Sequence, residues 1–214
     1  MNIMILWSGG VESTSLMKWY LENTDDQIFA HYIKIDNPER SRRLYELTAI
    51  SRLIKPLERI RPFVYSVSSI SICSGQAMTY DYKIHNAVGV MAMYHHNCKQ
   101  LLRAHSLEDQ YSRELLPDGS MKVTAYDHGD RWAGYRMRVR TMQPLLRDGD
   151  IAEQIQPFHV NYTQPKQWHM DYLGDLFQHT WSCRLPVEGQ PCMKCHSCLE
   201  RNNLHFWKGN YEPE

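Results

Sequence analysis

The opening of the chain, "MNIMILWSGGVESTSLMKWYLEN", restricts the fold more than any other stretch. Residues 2–7 form a short unbroken apolar run, the pattern of a strand buried on both faces. A tight turn at Gly9 and Gly10 follows. Val11, Leu16, Trp19 and Tyr20 then recur at roughly helical spacing.

The same alternation continues. Residues 28–35 read as a second strand and 41–54 as a helix, with Leu44, Leu47, Ile50, Leu53 and Ile54 on one side and Pro56 as its stop. Residues 62–68 read as a third strand, 86–98 as a helix and 100–106 as a fourth strand. Residues 148–155 look like the start of a helix capped by Asp148 or Asp150. Strands alternating with helices predict an α/β fold with a mostly parallel sheet. The segment 121–146 departs from it. In "YRMRVRT", Tyr135, Met137, Val139 and Thr141 share one face of a strand and Arg136, Arg138 and Arg140 the other. That marks an inserted β-hairpin at about 121–143, whose arginine face meets either solvent or an anion. The 214 residues suit one globular unit: an α/β domain at 1–180 and a cysteine-rich segment at 181–214.

Charge and hydropathy remove several classes. With 24 basic and 24 acidic residues, global charge gives no case for non-specific nucleic-acid binding. No apolar run reaches the ~18 residues of a membrane span, and "IMIL" is too short for a secretory core. The expected location is the cytoplasm. In that reducing setting clustered cysteines favour metal or redox chemistry over disulfides.

The turn between strand and helix has a chemical use. Free N–H groups at a helix N-terminus converge on one spot, and the helix dipole adds positive potential there. Glycine lets an anion approach the backbone, and Ser8, Ser13 and Thr14 add hydroxyls. Such a loop lies at the carboxyl edge of a parallel sheet, where α/β folds bind ligands. It lacks the glycine spacing and lysine of the Walker loop, and it is not the dinucleotide fingerprint.

At the other end, "SCRLPVEGQPCMKCHSC" carries Cys183, Cys192, Cys195 and Cys198. Each two-residue gap lets two thiolates reach one ion from a tight turn, and four thiolates complete a tetrahedral shell. A closed structural zinc site is the expectation. An iron–sulfur cluster uses the same ligands, and spacing alone does not separate the two. Cys73 and Cys98 lie far from this group and read as core cysteines.

"SGGVES" resembles the PP-loop, Ser-Gly-Gly-x-Asp-Ser, of the ATP-pyrophosphatases, with Glu12 in place of the aspartate. Joined to Thr180-Trp181-Ser182-Cys183 and to Cys192, Cys195, Cys198, Leu199 and Arg201, it resembles the 7-cyano-7-deazaguanine synthase family. "QPLLRDGDIAEQI" is similar to that family's Pro-Leu helix. The likeness covers both ends well and the middle loosely. It implies a Rossmann-like nucleotide-hydrolase fold, ATP with magnesium, one zinc per chain and a homodimer. It implies an ATP-binding stretch of Leu6, Trp7, Ser8, Gly9, Gly10, Val11, Glu12, Ser13, Thr14, Ser15 and Leu16, with Ser8, Glu12 and Ser13 as candidate catalytic residues. Lys18, one turn on, is a weaker candidate.

The resemblance also implies a reaction. The carboxylate of 7-carboxy-7-deazaguanine is adenylated and ammonia gives the amide. A second ATP then drives dehydration to the nitrile, 7-cyano-7-deazaguanine, an intermediate of queuosine biosynthesis. The segments that shape the family's deazapurine pocket are replaced, leaving His105 and Asp109 after the fourth strand and Arg136, Arg138 and Arg140 as candidate substrate or anion contacts. An alternative follows: a diverged ligase, of the kind met in antiphage defence, that passes the activated acid to an amine on a protein or nucleic acid. A further alternative, motivated by Glu12, is a nucleotide-binding module without turnover.

Overall fold

The computed structural model describes residues 1–36, 42–71, 81–104, 111–115, 121–125, 154–157, 166–193, 195, 197, 198 and 201. Strand β1 (Asn2–Leu6) leads into helix α1 (Val11–Asn23). Then come β2 (Gln27–Asp36), α2 (Arg43–Glu58), β3 (Val64–Ser71), α3 (Asp81–His95) and β4 (Gln100–Arg103). The short strands β5 (Tyr111–Leu115), β6 (Met121–Ala125) and β7 (Gln154–Pro157) follow, and then α4 (Lys166–Leu173) and a 3-10 helix (Gly174–His179).

Five strands form one sheet in the order β3-β2-β1-β4-β7, and every pairing is parallel. The α/β fold expected from the alternation is the fold observed. β1 lies at its centre, with Ile3 opposite Ile28 on one side and Gln100 on the other. The chain winds outward from β1 first through β2 and β3, and later through β4 and β7. The loop after β1 therefore stands where the strand order reverses, at the carboxyl edge, the usual ligand crevice of open α/β sheets.

The unbroken apolar run is explained by two cores. Ile3, Ile5 and Trp7 pack with Leu16, Met17, Ile50, Leu53 and Leu57 on the face covered by α1 and α2. Met4, with Leu6 beside it, packs with Val90, Met93 and Leu101 on the face covered by α3. Successive side chains of a strand point to opposite faces, so a strand covered twice must be apolar throughout. α3 lies close to the sheet at Gly89, where a Cβ would meet Leu6 Cδ1 and Cδ2 at 3.1 Å and Leu101 Cδ2 at 3.2 Å.

Several expectations need correction. Pro56 does not stop α2, which runs on to Glu58. Proline forfeits one bond, to the carbonyl of the exposed Arg52, and buried Leu57 anchors the last turn. Leu44, assigned to the buried side, is 59% exposed. The helix read at 148–155 does not reach its stated end, because Gln154 and Ile155 belong to β7 beside β4. Residues 148–153 lie outside the described residues. Met121–Ala125 is a strand, paired antiparallel with Tyr111–Leu115. The remainder of the expected hairpin, including Arg136, Arg138 and Arg140, lies outside the described residues, as do His105, Asp109 and Cys73. No helix among the described residues is long and apolar enough to cross a membrane.

Candidate functional site

The loop is shaped by its glycines. Gly9 has φ +72°, and a Cβ there would press on Ile50, Ala49 and the Glu46 carbonyl at 3.1 to 3.3 Å. Only glycine combines that conformation with so close an approach to α2. Gly10 caps α1 in an extended conformation and, as a glycine, supplies no side-chain cap bond. The first-turn N–H groups and the positive end of the dipole are thus presented at the loop. Across the hollow the Ser8 and Ser13 hydroxyls lie 3.2 Å apart. The Ser8 N–H donates to Ser13 Oγ at 3.3 Å, and the Gly10 N–H donates to Ser8 Oγ at 3.4 Å. These long bonds are ones that an anion, with its stronger acceptors, competes with readily.

The remaining residues of the loop motif hold it in place. Val11 and Leu16 are buried in the core. Thr14 Oγ1 accepts from the Trp7 indole at 3.2 Å, and both residues are buried. Trp7 in turn meets Phe63 and Tyr65 edge-on. Ser15 Oγ lies 2.9 Å from His169 Nδ1 on α4, again fully buried. Leu6 is half-buried against α3. Lys18 is engaged elsewhere, 2.7 Å from Glu22 and over the Tyr172 ring.

Glu12 has a partner that the sequence reading did not single out. Lys166 Nζ, on a residue only 5% exposed, lies 2.6 Å from Glu12 Oε1. Lys166, His169 and Leu173 form the buried stripe of α4. The signal was available in the spacing: read as a helix, "KQWHMDYL" turns a lysine and a histidine toward the core. Such residues are seldom buried without a partner. On the opposite flank Tyr32 donates to Glu46 at 2.7 Å, and Arg42 lies 3.4 Å from the same carboxylate. Burial, with Glu46 second, pushes the Tyr32 hydroxyl well above the usual phenol range, so it stays a donor.

The four expected cysteines come together. The Sγ atoms of Cys183, Cys192, Cys195 and Cys198 all lie within 4.8 Å of one another. Between the first two, Val187 and Gln190 exchange backbone bonds across Glu188 and Gly189, both with positive φ. That is the primed two-residue turn that suits a tight hairpin. Met193 takes φ +58° at the knuckle. The Cys192 N–H points at Cys183 Sγ and the Cys195 N–H at Cys192 Sγ, each at 3.2 Å. Burial pushes the Cys183 and Cys198 thiols up. A bound cation reverses that order and makes such a set thiolate. These four residues are therefore suited to hold a metal ion. Cys98, by contrast, is a buried core thiol raised to about 12 by desolvation.

The two centres adjoin. The Trp181 N–H donates to the Gly9 carbonyl at 3.0 Å. The Trp181 ring stacks on Tyr45, with centroids 4.7 Å apart. Arg201 donates to the Thr180 carbonyl, the Thr180 hydroxyl and the Phe177 carbonyl at 2.8 to 3.1 Å. A cavity of about 440 Å³ opens between α2 and this segment, with Tyr45, Arg52, Gln178 and Gln190 on its walls and Cys183 and Cys198 also in its lining.

A parallel sheet with a glycine loop after its central strand, followed by a four-thiol cluster, defines an α/β fold with a candidate metal centre beside the loop. No protein-family model matches the sequence, and no curated protein matches it. Among solved structures, the chain is similar to the U34-tRNA thiolase NcsA from Methanococcus maripaludis with its [4Fe-4S] cluster. The TM-score is 0.54 at 12% identity, over 94% of this chain and 62% of that one. The chain thus spans less than two thirds of that neighbour, and at such identity the likeness is one of fold.

Proposed function

We propose that the protein is an ATP-using, AMP-forming enzyme that activates the carboxylate of a 7-deazaguanine acid and joins it to nitrogen. One observation carries the reading. The Ser-Gly-Gly loop, with its Glu12–Lys166 pair, is packed against the Thr-Trp-Ser-Cys segment. These are the two motifs whose combination resembles the 7-cyano-7-deazaguanine synthases.

The chemistry asks for what this loop supplies. A carboxylate is a poor electrophile until one oxygen belongs to a good leaving group. Attack of that oxygen on the α-phosphorus of ATP forms the acyl adenylate and releases pyrophosphate. Ammonia then displaces AMP to give the amide. The amide oxygen, adenylated by a second ATP, leaves as AMP to give the nitrile. In this reading the N–H groups of the first turn, the Ser8 and Ser13 hydroxyls and the Lys166 ammonium hold phosphate oxygens as charge builds on them. Glu12, within the loop, would help hold magnesium, which would supply a Lewis acid for the same charge.

The thiol centre is assigned zinc. A tetrahedral ion with metal–sulfur bonds of ~2.3 Å puts its sulfurs ~3.8 Å apart. A cubane cluster spreads its ligating sulfurs to roughly 6 Å, since its iron atoms occupy separate corners. Separations within 4.8 Å suit the single ion.

The test is direct. The protein is incubated with ATP, magnesium, ammonia and 7-carboxy-7-deazaguanine, and AMP and product masses are followed. AMP with the amide or nitrile is the expected result. AMP with no nitrogen product from ammonia, and a mass gain on an added protein or nucleic acid, moves the acceptor to a macromolecular amine. No AMP under any of these conditions ends the reading.

A further inference from the structure

We infer that the occupancy of the four-thiol centre governs how tightly the loop after β1 holds its phosphate ligand, and that Trp181 is the positioning residue between them. The inference rests on the loop being the nucleotide site.

The argument starts from one peptide unit. A trans peptide is planar, with its C=O and N–H pointing in opposite directions. In the unit joining Gly9 to Gly10, the carbonyl accepts the Trp181 N–H at 3.0 Å, while the Gly10 N–H points to Ser8 Oγ across the loop hollow. Fixing the carbonyl therefore aims the N–H at the place where a phosphate sits. Glycine flanks the unit on both sides, and Gly9 has φ +72°. No Cβ hinders rotation of this peptide, and without its anchor it is free to turn the N–H outward and the carbonyl inward. A carbonyl oxygen in that position repels the anion it replaces a donor for.

The anchor is held from both ends of the thiol set. Trp181 lies two residues before Cys183, and its indole Nε1 donates to the Cys183 carbonyl at 2.8 Å. Thr180 is gripped by two bonds from Arg201, three residues after Cys198. Arg201 also lies over the Phe177 ring at 4.2 Å. Residues 180 and 181 are thus tied to the first and last of the four thiols. A metal ion closes that clasp. Without it the thiols hold one another through weaker contacts, the N–H···S bonds at Cys183 and Cys192 and hydrogen bonds between the thiols themselves. Pre-organising a loop raises affinity by removing its ordering cost from the binding step.

The experiment measures binding of the non-hydrolysable α,β-methylene analogue of ATP, with magnesium, to the full chain by calorimetry. Three states are compared: zinc-loaded, stripped with phenanthroline and desalted, and reloaded. Circular dichroism confirms that the stripped protein keeps its α/β core. Two variants are measured in the zinc-loaded state. Trp181→Ala keeps the backbone N–H and loses the stack. Trp181→Pro loses the N–H as well, and Thr180, at ψ 153°, already has the extended conformation that a following proline prefers.

Stripping is expected to weaken binding and reloading to restore it. Trp181→Pro is expected to bind roughly threefold to tenfold more weakly than Trp181→Ala, the worth of one net hydrogen bond. Equal affinity of the two variants overturns the inference, as does metal-independent affinity of the folded protein. If the zinc-loaded wild-type chain fails to bind the analogue, the nucleotide reading falls and takes the inference with it. Binding that ignores both metal and Trp181→Pro removes the inference and leaves that reading standing.

Discussion

Two regions meet at the loop, and they are held by opposite means. The segment from β1 to β4 is built on apolar faces: Ile3, Ile5, Trp7 and Leu16 in one core, and Met4, Val90 and Met93 in the other. The segment 166–201 reaches the same loop through polar atoms and thiols: Lys166 on Glu12, His169 on Ser15, Trp181 on Gly9 and four cysteines. Apolar burial is non-directional and sums over many contacts. Hydrogen bonds and metal bonds are directional, and one lost partner leaves another unsatisfied. The first region should therefore set stability, and the second the geometry of the loop.

Metal loss is the largest expected way to separate them. Structural zinc sites contribute of order 10 kcal/mol to the segment they fold. Cys195→Ala, or chelation, is expected to abolish metal binding and expose residues 181–201 to protease. The sheet should survive, because its strands are held by the two apolar cores. Limited proteolysis with mass mapping reads this, and cleavage spreading at once through β1 and β2 would break the comparison. Next in size is Ile5→Ala, which removes a fully buried side chain from the central strand. It should cost about 2–5 kcal/mol of global stability in urea unfolding and leave metal content unchanged.

Lys166→Met sharpens the contrast from the other side. It keeps most of the length of the side chain and removes the charge beside Glu12. AMP formation is expected to fall about a hundredfold or more, the scale of one lost charge-stabilising donor. A rate that does not change would reduce Lys166 to a packing element.

The same contrast explains what the sequence disclosed. The parallel α/β fold was legible because β1 is apolar without interruption and α1 begins where the glycines end, and both follow from local sterics and burial. The thiol set was legible because two-residue spacing is itself the geometry of a metal knuckle. For Lys166 and His169 the spacing signals burial but not role, because a lysine and a histidine buried in a short helix are defined by their partners, Glu12 and Ser15, more than 150 positions away. Pro56 was misread for a related reason. Whether a proline ends a helix depends on what anchors the turn after it, here Leu57.

The smallest expected effect concerns His31, the counterpart of His169 in the apolar region. Both are buried, and each has Nδ1 within 2.9 Å of a serine hydroxyl, Ser66 for His31 and Ser15 for His169. Nε2 of His31 has no hydrogen-bond partner among the described residues. Burial first, and the neighbouring His96 second, pull His31 down to about 4. The folded state thus favours the neutral ring, while the unfolded chain titrates near 6.5. The contribution is fully present above about pH 6.5 and drains away as pH falls toward 4, because the unfolded state takes up the proton first. Urea midpoints measured across that window should decline for the wild-type chain and more shallowly for His31→Leu. The metal-loaded protein should bind nucleotide equally in wild type and His31→Leu at pH 7. A binding defect in His31→Leu at that pH would mean that the apolar region sets loop geometry as well as stability, and the division between the two regions would not hold.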